Sequence, residues 1–192
     1  MSIPREDERK TIPKTFRFTA SLARSLEKAA AVEGTNVNAY ANAVISRHFE
    51  WDRKAREFGF VELPKSLLVD LLEGCDDETL VRIGRKVGSN TWRELAEFWT
   101  GDSSPKGILD HLTFRSKFNY SARARMVREE DAYTVVIYHD FGPKWSILAR
   151  SALEELVKKS FLATPRISVG ESVVMASFKV NPRTSSPVVE ET

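Results

Sequence analysis

Polar and apolar residues alternate in a short stretch near the beginning of the chain. The segment Thr11–Thr19 reads TIPKTFRFT, which places Phe16 and Phe18 on one side of an extended backbone and Thr15 and Arg17 on the other. A period of two predicts a short, half-buried strand. Because the next residues are helical in pattern, this strand has no partner nearby, and a lone strand is not stable in water.

Two helices are predicted directly after this strand. Thr19 or Ser21 can cap the first, and Gly34 lies where a left-handed residue ends a helix. Asn36 can cap the second, whose apolar residues recur at helical spacing: Val37, Tyr40, Ala41, Val44, Ile45, His48 and Phe49. The apolar stripe on each helix is wider than the surface that the other helix of the same chain can bury. We therefore expect a twofold homodimer in which two strands pair antiparallel and four helices interlock.

The remainder of the chain predicts an α+β domain over residues 62–180. Its first part predicts four short helices, at Pro64–Leu72, Asp76–Val87, Thr91–Trp99 and Pro105–Leu112. The residues that separate or begin them are Gly74, Gly88, Gly101 and Pro105. Its second part reads as strand, strand, helix, strand at Tyr120–Arg128, Ala132–His139, Trp145–Phe161 and Ser172–Val180. This β-β-α-β order predicts a mostly antiparallel sheet covered by the long helix.

Composition places the chain among folded proteins. Apolar residues make up 42% of the 192 residues and charged residues 29%. No apolar run approaches the roughly 18 residues of a membrane span, and the first residues lack a signal-peptide core. We therefore expect a cytoplasmic protein with no membrane partner. Polar residues 1–10 predict a flexible arm, and residues 181–192 predict a disordered tail.

Charge is distributed unevenly along the chain. The net charge is only +2, but six basic residues stand against two acidic ones between Lys10 and Phe49. Such an asymmetry indicates that the two parts of the chain have different functions.

The N-terminal pattern is similar to that of a known family. Lys14–Thr19 (KTFRFT), Leu22 to Gly34, and Asn36 to Ile45 (NVNAYANAVI) together resemble the ribbon-helix-helix repressors of the Arc, MetJ and CopG types. The resemblance covers about residues 11–50, and we assign the DNA-binding domain to residues 11–57. It implies a homodimer that binds double-stranded DNA and inserts a two-stranded ribbon into the major groove.

In this interpretation the outward side chains of the ribbon read bases. Those side chains are Thr15 and Arg17, because Phe16 and Phe18 occupy the other face. Arg17 can pair with guanine O6 and N7, which is worth about 1–3 kcal/mol of discrimination. The alternative is an ordinary amphipathic strand with a solvated arginine.

Phosphate contacts are expected beside the bases. Lys14 faces inward by parity, but its stem is long enough to reach a phosphate. Asn36, Val37 and Asn38 begin the second helix, where free backbone N–H groups and the helix dipole favour an anion. The simpler interpretation of Asn36 is a helix cap, and both roles are compatible because they use different donors.

The C-terminal domain carries weaker signals. His139 ends a strand and Trp145 opens a helix, so both are weak candidates for binding an effector, although a structural histidine is the simpler interpretation. Cys75, His111 and His139 lack the spacing of metal ligands, and the Gly-Pro-Lys-Trp-Ser sequence lacks the glycines of a nucleophile elbow. We therefore expect no enzyme activity, no metal and no cofactor.

These observations lead to one expectation and one alternative. We expect a sequence-specific transcriptional regulator of the repressor type, whose C-terminal domain senses a small-molecule effector or mediates a higher oligomer. The aromatic residues of that domain can form core, an assembly surface or a pocket for the effector. The alternative is an antitoxin-like module that binds a partner protein, although antitoxins usually carry a short disordered C-terminal segment.

Overall fold

The computed structural model describes residues 12–119 and 121–180. The chain divides into two compact units, and the boundary along the sequence lies between Glu50 and Trp51. The expected flexible arm (1–10) and disordered tail (181–192) lie outside the described residues. Residues 51–57, grouped with the N-terminal part on sequence grounds, belong to the second unit, where Ala55 is buried in the core.

The first unit consists of an extended segment and two helices. Residues 12–19 form no helix or strand within the single chain, and Thr19 then caps helix α1 (Ala20–Val32) by accepting the N–H of Leu22 at 3.3 Å. Gly34 adopts φ 65° and lets the chain reverse. Helix α2 (Val37–Arg47) begins at the predicted cap, Asn36. The two predicted helices are confirmed.

Helices dominate the first half of the second unit. A π-helical turn (His48–Asp52) follows α2, and four helices succeed it: α3 (Arg53–Phe58), α4 (Lys65–Glu73), α5 (Asp77–Lys86) and, after a second π-helical turn (Val87–Thr91), α6 (Trp92–Thr100). Helix α7 (Pro105–Arg115) completes this part. Asp76 caps α5, because its carboxylate accepts the N–H of Thr79 at 2.6 Å.

The second half is a four-stranded antiparallel sheet with a long helix. The elements follow the order β1 (Ala122–Glu129), β2 (Ala132–His139), α8 (Pro143–Phe161), β3 (Arg166–Val169) and β4 (Val173–Lys179). The strands lie side by side as β1-β2-β4-β3, so α8 connects the two parallel strands β2 and β3 across the sheet. The α+β class with an antiparallel sheet is confirmed.

Two sequence predictions differ from the structure. The expected β-β-α-β order lacked β3, whose four residues are too few for a readable alternation: only Ile167 is even half-buried. Gly88 was expected to separate two helices. It lies instead inside the π-helical turn that joins α5 to α6, because packing against α8 favours a residue without a side chain there.

The core lies between the sheet and its helices. Every second residue of β4 and of the later part of β2 is buried. These side chains pack with residues of α8, α6 and α7 to form the core: Val135, Ile137, Val174, Ala176, Phe178, Leu153, Leu156, Leu95 and Ile108. Burying one large apolar side chain stabilises a fold by about 1.5–3 kcal/mol. No helix of the described residues is long and apolar enough to cross a lipid bilayer.

Candidate functional site

The side chains predicted to read bases are exposed in the extended N-terminal segment. The Phe16 and Phe18 rings stack with centroids 6.3 Å apart and planes at 21°. This separation is close to the two-residue repeat of an extended chain, about 6.7 Å, so both rings lie on the same side. Thr15 and Arg17 therefore alternate with the rings, as the sequence pattern predicted, and Lys14 is also exposed.

The backbone of this segment is available for pairing. Residues 12–18 make no backbone hydrogen bond with any described residue, and Phe16 and Phe18 are 62% and 47% exposed. An extended segment with free N–H and C=O groups is a template for a second strand. The segment thus has both the unpaired backbone and the uncovered apolar side that a ribbon needs.

The beginning of α2 presents free donors. The Asn36 side chain accepts the N–H of Ala39 at 2.9 Å, and the Asn36 carbonyl accepts the N–H of Tyr40. Within the described chain this leaves the backbone N–H groups of Val37 and Asn38 without a partner, and all three residues Asn36–Asn38 are exposed. Two free N–H groups at the positive end of a helix dipole can bind one phosphate oxygen each.

The helices of the first unit leave apolar side chains uncovered. Only Ala30 is fully buried in α1, and no residue of α2 is. The exposed apolar residues of these helices and of the following turn are Leu22, Val32, Val37, Val44, Ile45 and Phe49. The two helices therefore bury little of their apolar surface within the single chain.

His139 and Trp145, the candidates from the second unit, lie together at the end of β2 and the start of α8. Their rings are 4.4 Å apart. The Nε2 atom of His139 lies 2.8 Å from the Ser146 hydroxyl, which donates to the carbonyl of Gly170 at 2.7 Å. The N–H of Phe141 points at His139 Nδ1 (3.4 Å), so Nδ1 accepts and Nε2 carries the proton.

This arrangement is suited to structure rather than to catalysis. A nucleophilic serine must give its proton to histidine, whereas Ser146 here accepts from His139 and donates to a carbonyl. Burial lowers the pKa of His139, and Asp140 only partly opposes this. Asp140 pairs instead with Lys65 at 3.0 Å. The histidine and serine thus tie β2 and α8 to the β3–β4 turn.

A cavity of about 180 Å³ lies beside Trp145 in the second unit. The elements around it are the second π-helical turn, α6, α7, β1, β2 and α8, and its lining residues are Val87, Trp92, Leu112, Arg115, Ser116, Asn119, Ala122, Ala124, Ile137, Trp145, Leu148 and Ala149. Trp92 and Trp145 are among the aromatic residues for which the sequence left open a place in the core, in an assembly surface or in a pocket. His139 contacts the Trp145 ring and does not line the cavity.

Sequence reasoning missed the polar residues of this cavity. Arg115 stands in the last turn of a helix, where a basic residue is expected to interact with the helix dipole, so its sequence position gives no signal of a pocket. Cys75, His111 and His139 are not brought together, and no group of three metal-ligating side chains occurs in the described ranges. No family model, curated protein or solved structure matches the chain.

Proposed function

We propose that the protein is a sequence-specific DNA-binding transcriptional regulator that acts as a homodimer. Residues 12–19 of two chains would pair antiparallel, and this two-stranded ribbon would enter the major groove. The observation that carries the proposal is the extended segment itself, whose backbone is unbonded within the described chain and whose two phenylalanine rings are exposed on one side.

Dimerisation follows from what the single first unit leaves unsatisfied. Antiparallel pairing gives partners to the N–H and C=O groups of alternate residues in this segment, and a second copy brings identical groups in the same register. The rings of Phe16 and Phe18 would then lie over the helices, beside exposed Leu22 and Val44. Covering apolar surface contributes about 25 cal/mol per Å², so the paired form is favoured.

DNA is the partner that fits the opposite side of such a ribbon. Arg17 and Thr15 alternate with the rings and would point into the groove, where an arginine can donate two hydrogen bonds to guanine. Lys14 and the free N–H groups of Val37 and Asn38 would bind phosphates, which position a protein without specifying sequence. The basic balance of residues 10–49 favours the same partner.

The experiment selects sites bound by the full chain from random DNA and measures affinity for the selected site by fluorescence anisotropy. Arg17→Ala should weaken binding to the selected site at least tenfold and relax preference at one base position. Arg24→Ala is the matched control, because it removes one exposed positive charge from α1 in the same unit. It should keep the base preference.

Two further results decide the proposal. Sedimentation should show a dimer for the parent, and Phe16→Ser should shift it towards monomer, because a polar side chain replaces part of the apolar side of the ribbon. A parent protein that selects no DNA sequence contradicts the proposal and favours the antitoxin-like alternative. So does an Arg17→Ala variant that keeps full affinity and the same base preference.

A further inference from the structure

The cavity beside Trp145 has apolar walls and one polar corner. Two indole rings, Trp92 and Trp145, face it together with aliphatic side chains such as Leu112 and Ile137. Its polar lining comes from α7 and the residues just after it: Arg115, Ser116 and Asn119. The whole lining belongs to the second unit, so binding of a ligand in this cavity does not depend on the proposed DNA binding.

The hydroxyl and amide oxygens of Ser116 and Asn119 already have hydrogen-bond partners within the protein. The Ser116 hydroxyl donates to the carbonyl of Leu112 at 2.9 Å and accepts the N–H of Ala124 at 2.6 Å. Asn119 Oδ1 accepts the N–H groups of Ser121 and Ala122, each at 3.1 Å. The acceptors at the corner are therefore occupied by the protein itself.

What remains at the corner is a set of donors. The Arg115 guanidinium makes no hydrogen bond or ion pair with any described residue, and the Nδ2 amino group of Asn119 is likewise without a partner there. Both groups can only donate. A ligand that complements them must bring acceptors, and a carboxylate can accept from a guanidinium in bidentate geometry.

The charge of Arg115 is also uncompensated. No aspartate or glutamate is among the described residues that line the cavity, and burial alone lowers the pKa of Arg115. On the same helix, burial and the charge of Arg115 lower the pKa of His111 to about 4, so this neighbour is neutral at pH 7. A half-buried charge without a counter-ion is unfavourable, and a bound anion reduces that cost.

We propose that this cavity binds a small aromatic carboxylate, whose acid group pairs with Arg115 and Asn119 and whose ring lies against Trp92 and Trp145. The size fits this class, because an apolar cavity of about 150 Å³ holds one benzene ring and the cavity here has about 180 Å³. The walls select an apolar body, and the corner selects a negative charge.

The test measures binding of benzoate and phenylacetate to the full chain by calorimetry and by tryptophan fluorescence, to which two of the four tryptophans, Trp92 and Trp145, contribute from the cavity wall. Both acids should bind saturably and raise the unfolding temperature. Benzamide, which has the same shape without the charge, and acetate, which lacks the ring, should each bind at least tenfold more weakly. Equal binding of benzamide and benzoate would overturn the role of Arg115.

Variants distinguish specific binding in the cavity from non-specific binding to apolar surface. Arg115→Gln should abolish benzoate binding, whereas Lys117→Gln removes a nearby exposed charge that does not line the cavity and should leave binding intact. Ala124→Leu should fill the cavity and block the ligand in a protein that unfolds cooperatively. Absence of saturable benzoate and phenylacetate binding at millimolar concentration, or unchanged binding in Arg115→Gln, would overturn the proposal.

Discussion

Gly88 lies so close to Ala152 that a Cβ atom built on Gly88 would stand 2.1 Å from the carbonyl oxygen of Ala152. One turn earlier, Gly84 also lies against α8: a Cβ atom at Gly84 would stand 2.4 Å from the carbonyl oxygen of Leu148. Both contacts are with backbone, which cannot rotate out of the way. The two glycines let α5 and its π-helical turn approach α8 at backbone distance.

Gly88→Ala should therefore destabilise the second unit. The added methyl group must push the two helices apart, and overpacking of this kind typically costs about 1–3 kcal/mol, more than the roughly 1 kcal/mol that alanine gains over glycine in helix propensity. Urea unfolding followed by circular dichroism should show a lower midpoint with an unchanged slope.

Gly74→Ala is the matched control for this measurement. Gly74 has an ordinary helical conformation (φ −70°), and a Cβ atom there would meet only the carbonyl oxygens of Asp70 and Leu71 at 3.6 Å. The control should be neutral or slightly stabilising, because alanine reduces the freedom of the unfolded chain. Gly88→Ala as stable as Gly74→Ala would contradict the close approach.

Ser146→Ala tests the hydrogen-bonded cluster at the start of α8. The substitution leaves His139 Nε2 and the Gly170 carbonyl without their partner in a buried place, and leaving buried polar groups unsatisfied costs about 1–3 kcal/mol. The free energy of unfolding should fall by that amount.

Ser151→Ala provides the comparison for Ser146→Ala. Ser151 is buried on the same helix, but its hydroxyl only donates to the carbonyl of Ile147 one turn earlier, at 3.0 Å. That carbonyl keeps its place in the helix, so the loss should be small. Equal losses in the two variants would show that the His139 cluster contributes nothing specific.

His111 makes stability depend on pH. It is fully buried beside Trp99 and Phe114, and neither ring nitrogen has a hydrogen-bond partner among the described residues. Burial, together with the charge of Arg115, lowers its pKa from 6.5 to about 4. Because the unfolded chain binds the proton more tightly, stability should be lost as the pH falls from about 6.5 to about 4. The loss is about 3 kcal/mol, since each pKa unit is worth about 1.4 kcal/mol.

His111→Leu isolates this effect. Leucine removes both unpartnered nitrogens, so the variant should be at least as stable as the parent at pH 7 and clearly more stable at pH 5. The carboxyl groups whose pKa is lowered, such as Asp76 and Asp102, change stability only below this pH range, and they are present in both proteins. Parallel pH profiles for parent and variant, measured by urea unfolding, would refute the assignment.

The sequence predicted those features that depend on local pattern. AYTVVIYH defined the strand Ala132–His139 at both ends because it is a run of β-branched and aromatic residues bounded by turn residues. Asn36 was identifiable as a cap from its position before an apolar stripe of helical spacing. Strand β3 was missed because it is stabilised by pairing with β4 rather than by its own four residues.

Features that depend on distant contacts were not predictable in the same way. Gly88 suggests a helix break in isolation, and only the approach of Ala152 explains why the helical turn has no side chain there. Arg115 is an ordinary basic residue at a helix end until α6, α8 and the sheet enclose it. The polar corner of the cavity therefore forms only when the whole second unit folds.

Asn36→Asp separates capping from phosphate binding at the start of α2. Aspartate caps a helix as well as asparagine does, and its charge favours the positive end of the helix dipole, so the stability of the first unit should be kept or raised slightly. The same charge would repel a phosphate held by the N–H groups of Val37 and Asn38. Affinity for the selected DNA site should fall at least tenfold in anisotropy measurements at low salt.

The control introduces the same charge at a cap in the second unit. Ser104 accepts the N–H of Gly107 at 3.1 Å and begins α7, so Ser104→Asp adds one negative charge in an equivalent local geometry. It should lower DNA affinity only slightly, through the general change in net charge. If the two variants lose affinity equally, the start of α2 does not hold a phosphate, and Asn36 acts only as a cap.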